Sequence, residues 1–297
     1  MANVSLDCSG NLQVREKASK THRYFFQMLN ALSLDSALVA ILWQLLLAKA
    51  WGTPCSLLYS FLLGAAVWLG FTADRLFDGF IISDKFRSFR HGFAFKHRKK
   101  ILLAWISVAA FSIFLGVENL SVDDFRSGIF LACLCALNAI LTFTDRKVIV
   151  PIPKEVRNAL LFSSGVFFFV FIHLDGLTII HWTVFVQLTI LWFLNCCLIS
   201  YWEKDLDLVQ GQSSLVLRKS FLSSPFLRNA ITLSALAALA LSLHPALVNS
   251  RDTLLSCAMA LISLQAVGFL GIENESKRII ADCCLWIPCL LFLSIAG

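Results

Sequence analysis

Charged side chains are scarce in this sequence. Asp, Glu, Lys and Arg make up 15% of its 297 residues, whereas 58% are hydrophobic and the mean hydropathy is +0.76. Soluble globular domains have about a quarter of their residues charged, so this composition excludes an ordinary soluble domain and indicates a polytopic membrane protein. The net charge is +6, but the sequence has no basic stretch interleaved with aromatic residues, so we expect no nucleic-acid partner.

The cysteine patterns of metal centres and disulfide scaffolds are also missing. None of the ten cysteines forms a Cys-x-x-Cys pair, and most of them lie inside apolar runs. A zinc site requires cysteines at ligand spacing with further cysteines or histidines to complete the set, and neither the spacing nor the accompanying histidines are right here. We therefore expect neither zinc nor a disulfide framework.

Apolar runs of about 17 to 25 residues, the length that crosses a bilayer, recur along the chain. They predict an all-α bundle of nine transmembrane helices in one domain, residues 31–297. Residues 1–30 lack the short apolar region and cleavage site of a removable signal and are predicted to be a cytosolic tail. The predicted spans are 33–50, 55–77, 101–117, 126–145, 157–175, 179–201, 226–244, 252–271 and 279–296.

Positive charge is concentrated in the tail and in the links after every second span. The positive-inside rule places these links and the N-terminus in the cytosol and the C-terminus across the membrane. Two of these links, 78–100 and 202–225, are much longer than the others. Because long connections in a compact protein usually carry function, we expect the functional site on this side.

An acidic cluster stands at the start of each long link. Asp74 and Asp78 close the second apolar run, and Glu203, Asp205 and Asp207 follow the sixth. Residues four apart lie on one face of a helix, where two acids repel unless a cation lies between them. Solvation at a helix end is the simplest explanation for either cluster alone, but both clusters share spacing, place and side.

Magnesium chemistry explains the two clusters together. Mg²⁺ takes one or two carboxylates plus phosphate oxygens of a substrate. Two facing clusters would hold metal ions that clamp a diphosphate as it leaves. We therefore predict that Asp74, Asp78, Glu203 and Asp207 are the metal-binding and catalytic residues, and that Mg²⁺ is the cofactor.

These motifs resemble those of the UbiA superfamily of intramembrane prenyltransferases, and of an uncharacterised bacterial branch of it. Members have nine transmembrane helices around a central cavity, with Asn-x-x-x-Asp-x-x-x-Asp ending helix two and Asp-x-x-x-Asp ending helix six. Here the motifs are Gly70-x-x-x-Asp74-x-x-x-Asp78 and Glu203-x-x-x-Asp207. Gly70 in place of asparagine removes a polar group near the metal. Glu203 in place of aspartate keeps the charge but lengthens the side chain that carries the carboxylate.

The resemblance and the spacing nominate five further residues for substrate binding. Lys154 and Arg157 resemble the basic residues with which family members hold diphosphate, although positive-inside anchoring explains them equally well. Arg75 lies about a quarter-turn from Asp74 and could grip a diphosphate oxygen or pair with a neighbour. Asp205 would support the metal ligands, and Asn195, two turns before Glu203, would line the cavity.

The resemblance implies transfer of a prenyl group from an allylic diphosphate to a lipophilic or aromatic acceptor in the bacterial cytoplasmic membrane. Membrane lipid is then the other partner, and the acceptor, chain length and oligomeric state stay open. An ion-coupled transporter or a non-catalytic UbiA-like protein is the alternative, and a transporter would need acids near mid-helix. Phosphatidyltransferases are excluded because their acidic motif is local, whereas these clusters lie far apart in sequence.

Overall fold

The computed structural model describes residues 26–82, 88–145, 150–220 and 222–294, so most of the predicted tail lies outside the described residues. The described chain is all-helical and has no strand. Its helices are α1 (Leu34–Trp51), α2 (Leu57–Ile81), α3 (Phe89–Lys96), α4 (Arg98–Asn119), α5 (Val122–Thr144), α6 (Lys154–Phe171), α7 (Ile179–Trp202), α8 (Lys204–Val209), α9 (Leu215–Arg218), α10 (Ser224–Ser242), α11 (Arg251–Gly268) and α12 (Asn274–Ser294), with a 3₁₀ helix at Pro245–Ser250.

In the described part of the chain, six helices are long and apolar enough to cross a membrane, which supports the prediction of a multi-pass membrane protein. They are α1, α2, α4, α5, α7 and α10. The other long helices, α6, α11 and α12, are 18 to 21 residues in length and begin with charged or polar residues. The prediction that these three also span the membrane belongs to the proposal below.

The core of the bundle is formed by α1, α6, α7, α10, α11 and α12. Helix α11 packs between α10 and α12, while α1 contacts α2, α6 and α12. Fully buried leucines and aromatic residues fill the space between them, including Trp43, Phe167, Leu188 and Leu261. In contrast, α5 has no buried residue, so its apolar surface is suited to contact with lipid.

Local sequence explains the ends of the helices that carry the site. Helix α1 ends at Gly52, whose φ of 64° is the left-handed conformation that glycine adopts easily. The hydroxyl of Ser56 then accepts a hydrogen bond from the Tyr59 N–H and caps α2. Since no proline or glycine pair interrupts it, α2 runs for 25 residues to Ile81 and includes both acids of the first motif.

Replacing a buried leucine of α11 tests this packing. Leu261 is fully buried, and Leu261→Ala should lower the free energy of unfolding by about 2–5 kcal/mol because it removes contacts and leaves a cavity. The neighbouring Ile262 is 52% exposed, and Ile262→Ala should change the stability by less than about 0.5 kcal/mol. Unfolding in detergent measures both; equal losses would show that this face of α11 is not the packed one.

Candidate functional site

The two acidic motifs lie at the ends of α2 and α7. Asp78 is buried near the end of α2, whereas Asp74, one turn earlier, is exposed. Glu203 follows the last residue of α7, and the short helix α8 then places Asp207 in a buried position and Asp205 in an exposed one. Each motif therefore contributes at least one carboxylate that is shielded from solvent.

Helix α3 covers Asp78 because residue 79 is a glycine. A Cβ atom at Gly79 would lie 3.2 Å from the carbonyl oxygen of His91 and 3.4 Å from the backbone nitrogen of Phe95. The missing side chain lets α3 approach α2 closely. This approach buries His91 and places its Nε2 atom 3.5 Å from the Asp78 carboxylate.

Glu203 is held by two arginines from different parts of the chain. Its Oε2 atom lies 3.2 Å from Nη2 of Arg90 in α3, and its Oε1 atom lies 3.3 Å from Nη1 of Arg278 in α12. The Glu203 side chain is only 12% exposed. Charge-assisted contacts of this kind compensate a carboxylate that has lost its water.

His91 connects Arg90 to Asp78 through one nitrogen. Nε2 of His91 lies 3.1 Å from Nε of Arg90, which donates a hydrogen bond to it. An imidazole nitrogen that accepts from Arg90 has no proton to donate to Asp78 at the same time. The contact of His91 with Asp78 is therefore an ion pair only when the imidazole is protonated and the Arg90 bond is broken.

Gln212 and Lys154 join Asp78 to Asp207. The side-chain amide of Gln212 donates to Oδ2 of Asp78 at 2.9 Å, and its carbonyl oxygen accepts from Nζ of Lys154 at 3.3 Å. The same lysine nitrogen lies 4.0 Å from Oδ2 of Asp207. The backbone N–H of Gln212 also donates to the backbone carbonyl of Asp207 at 2.8 Å, which fixes the loop after α8.

These contacts bring the two motifs into one cluster, which we call the acidic network. It is formed by side chains from α2, α3, α6, α8, α12 and two connecting segments. Its members are Asp78, Arg90, His91, Lys154, Glu203, Asp207, Gln212 and Arg278.

Burial determines the protonation of Asp207. Desolvation raises the pKa of its carboxyl above the ordinary value, while the charge of Lys154 acts in the opposite direction. Glu203 raises the pKa further, and Arg90 lowers it. Asp207 therefore releases its proton less readily than an exposed aspartate.

A buried acid that we did not predict lies beside the network. Glu155 is 1% exposed, and its Oε1 atom accepts hydrogen bonds from the Ser200 hydroxyl at 3.1 Å and from the Leu215 N–H at 3.0 Å. Its Oε2 atom is buried without a hydrogen-bond partner among the described residues. The only sequence signal was an acid directly after Lys154 in an otherwise basic link.

Arg157, which we predicted to bind diphosphate, lies in a different cluster. Its Nε donates to Asn138 at 2.8 Å, its Nη2 donates to Thr142 at 3.2 Å, and its Nη1 donates to the carbonyl of Ile152. Nη2 is also 4.0 Å from Asp145. These contacts tie α5 to α6, which gives Arg157 a structural role, and its binding of diphosphate stays a prediction.

Arg75 and Asn195 also lie outside the acidic network. The Arg75 side chain lines a separate cavity between α2, α3 and α4. Asn195 is buried in α7, and its Oδ1 atom has no hydrogen-bond partner in the described part of the chain. Of the nine predicted site residues, the network contains Asp78, Lys154, Glu203 and Asp207, and it leaves out Asp74, Arg75, Arg157, Asn195 and Asp205.

The donor set fits Mg²⁺ in part. Asp78 and Asp207 provide hard carboxylate oxygens that Gln212 and Lys154 connect, and Mg²⁺ needs only one or two of these when phosphate oxygens complete its shell. Glu203 fits less well because an arginine engages each of its oxygens. Within the described ranges, no group of three or more acidic, histidine or cysteine side chains is close enough to hold a metal ion.

Sequence reasoning missed Gln212 and Arg278 as partners of the motifs. Gln212 directly follows Gly211, whose left-handed φ of 64° turns the chain back after α8. This turn was the available signal, since it directs the next side chain toward the preceding helix. Arg278 gave no comparable signal, because its contact with Glu203 depends on how α12 packs.

The raised pKa of Asp207 predicts a pH dependence of stability. The folded chain holds this proton more tightly than the unfolded chain, so Asp207 stabilises the fold at low pH and loses that contribution as pH rises through its raised pKa. Asp207→Asn should remove this decline, which we expect in thermal unfolding profiles recorded upward from the ordinary aspartate pKa range. Asp205→Asn, at an exposed site, should follow the wild type, and a profile of Asp207→Asn that matches the wild type would contradict the assignment.

Known proteins give no further guide to the site. Comparison of the chain with protein-family models, with curated proteins and with solved structures finds no match.

Proposed function

We propose that this chain is a magnesium-dependent, UbiA-like prenyltransferase of the bacterial cytoplasmic membrane. The proposal includes nine membrane spans around a central cavity, with α6, α11 and α12 as the three spans beyond the six apolar ones. It also places the acidic network on the cytosolic side, as the positive-inside rule indicates.

The observation that carries the proposal is the meeting of Asp78 and Asp207 around Lys154 and Gln212. These two acids belong to motifs at the ends of different helices, yet one lysine and one amide connect them. A diphosphate needs carboxylates to hold its metal and cations to bind its oxygens. The network offers both kinds of group at one end of the bundle.

In this proposal the chain's own residues divide into two roles. Asp78 and Asp207 would hold Mg²⁺, which when bound supplies positive charge to the leaving diphosphate. Lys154, Arg90 and Arg278 now pair with carboxylates and would turn to phosphate oxygens. Asp207 would stay compensated when Lys154 turns away, because its carboxylate would then face the metal, and Glu203 would stay compensated as long as one of its two arginines remains on it.

The reaction would be a transfer between two molecules in the membrane. The bond between the allylic carbon and the diphosphate oxygen breaks, and its electron pair stays on the oxygen. A new bond then forms between that carbon and the acceptor, which loses a proton. The helices would exclude water from the cationic carbon until the acceptor attacks.

A second candidate is a non-catalytic UbiA-like protein that binds an anionic head group without metal. The observation in its favour is that Glu203 and Asp207 already face basic side chains, which are Arg90 and Arg278 at Glu203 and Lys154 at Asp207. In such a protein these pairs would be permanent, and no diphosphate would be cleaved.

Purified full-length chain in detergent tests the proposal. Geranylgeranyl diphosphate with Mg²⁺ should raise the unfolding temperature, and diphosphate release should be measurable when an aromatic acceptor such as a hydroxybenzoate is present. Asp78→Asn and Asp207→Asn should each lower the rate on the order of 10²-fold, the loss seen when one stabilising group is removed.

The control is Asp123→Asn, because Asp123 is a highly exposed acid in the first turn of α5, away from the network. This variant should keep the wild-type rate. Protection that is independent of Mg²⁺, with no release of diphosphate, would favour the non-catalytic candidate. Full activity in Asp78→Asn and Asp207→Asn would overturn the assignment of the site.

A further inference from the structure

A separate cavity, whose wall is mostly apolar but includes basic side chains, lies between the second half of α2, helix α3 and the first turns of α4. Its volume is about 250 Å³, well above the space that one water molecule needs. Thr72 and Arg75 line it from α2, His97 from the junction of α3 and α4, and Lys100 from α4. The cavity does not include any residue of the acidic network.

Arg75 is the central feature of this cavity. The residue is only 4% exposed, and its Nη1 atom is buried without a hydrogen-bond partner among the described residues. Asp35 and Asp282 act on its charge through space, but neither forms an ion pair with it in the described ranges. A buried guanidinium nitrogen is costly unless an acceptor binds it.

Thr72 presents a second unpartnered group one turn away on the same face of α2. It is 5% exposed, and its Oγ1 atom also lacks a partner within the residues that the structure describes. Lys100 and His97 add basic groups from the other side of the cavity. Two unpartnered polar atoms among basic neighbours are the arrangement that an oxyanion would satisfy.

The remaining walls of the cavity are apolar. Trp68 and Phe93 line it, and the Trp68 indole donates to the carbonyl of Leu32 at 2.8 Å, which holds the ring in place. Helices α2 and α4 are both candidate membrane spans. His97 and Lys100 stand at the start of α4, and Arg75 lies six residues before the end of α2. A ligand here would therefore place its charge against Arg75 and its apolar part along the helices.

We propose that this cavity binds the phosphate group of an anionic membrane lipid. Arg75 and Thr72 donate hydrogen bonds to the phosphate oxygens, and Lys100 and His97 contribute positive charge. The apolar walls contact the glycerol and the first methylenes of the chains. This binding uses no residue of the acidic network and no metal ion, so it does not rest on the proposed transferase activity.

Thermal-shift titration of the full-length chain in detergent with EDTA tests this site. Short-chain phosphatidic acid is the probe, and phosphatidylcholine of the same chain length and inorganic phosphate are compared with it. Phosphatidic acid should protect most strongly. Arg75→Gln should weaken its apparent affinity by about tenfold or more, because a hydrogen bond to a charged group is lost.

Further variants keep the test informative if Arg75→Gln does not fold. Lys100 lines the cavity, whereas the adjacent Lys99, which is also exposed, does not, so Lys100→Gln should weaken binding and Lys99→Gln should not. Thr72→Val keeps the shape of the side chain, removes the hydroxyl, and should also weaken binding. Asp78→Asn should bind phosphatidic acid like the wild type, which separates this site from the transferase proposal.

Three results would overturn the inference. Equal protection by phosphatidylcholine would mean that the cavity does not recognise negative charge. Equal weakening in Lys99→Gln and Lys100→Gln would indicate general attraction to a basic surface. Protection by inorganic phosphate that matches phosphatidic acid would identify a soluble oxyanion, and not a lipid, as the ligand.

Discussion

A carboxylate withdrawn from water at the end of a helical bundle needs a cation nearby, and this requirement organises the site. Glu203 meets it with Arg90 from α3 and Arg278 from α12, and Asp207 meets it with Lys154 from α6. Each pair joins elements that are distant in sequence. The loss of one partner leaves a buried charge uncompensated. The ion pairs at this end of the bundle therefore also fix the positions of the helices relative to one another.

The same pairing bears on how the proposed ligand would bind. The cations that compensate the acids are of the kind that hold phosphate oxygens. In the proposed transferase, a diphosphate with its metal would replace these internal contacts. Gln212 lies at the centre of this exchange, since it contacts both Asp78 and Lys154. Its amide donates a hydrogen bond to the Asp78 carboxylate and accepts one from Lys154, so it separates these two side chains without contributing charge.

The helical, multi-pass architecture was predictable because the length of an apolar run is set by the thickness of a bilayer. The positions of Asp78, Glu203 and Asp207 at helix ends also followed from the sequence, since apolar runs stop there. Their partners did not. Arg278 and Gln212 reach the acids through the packing of α12 and the turn at Gly211, which no local pattern specifies. Arg157 shows a different limit, because a basic residue at a helix start can equally serve a neighbouring helix, here through Asn138 and Thr142, and sequence alone does not distinguish this from ligand binding.

The close contact at Gly79 connects the acidic network with the cavity at Arg75. Helix α3 packs against α2 where Gly79 has no side chain. It carries Arg90 of the acidic network together with Phe93, which lines the cavity at Arg75. Any shift of this short helix along or away from α2 would change both sites at once. A molecule that bound in the cavity and moved α3 would therefore change the spacing of the charges in the acidic network, and the contact at Gly79 would be the point about which the helix turns.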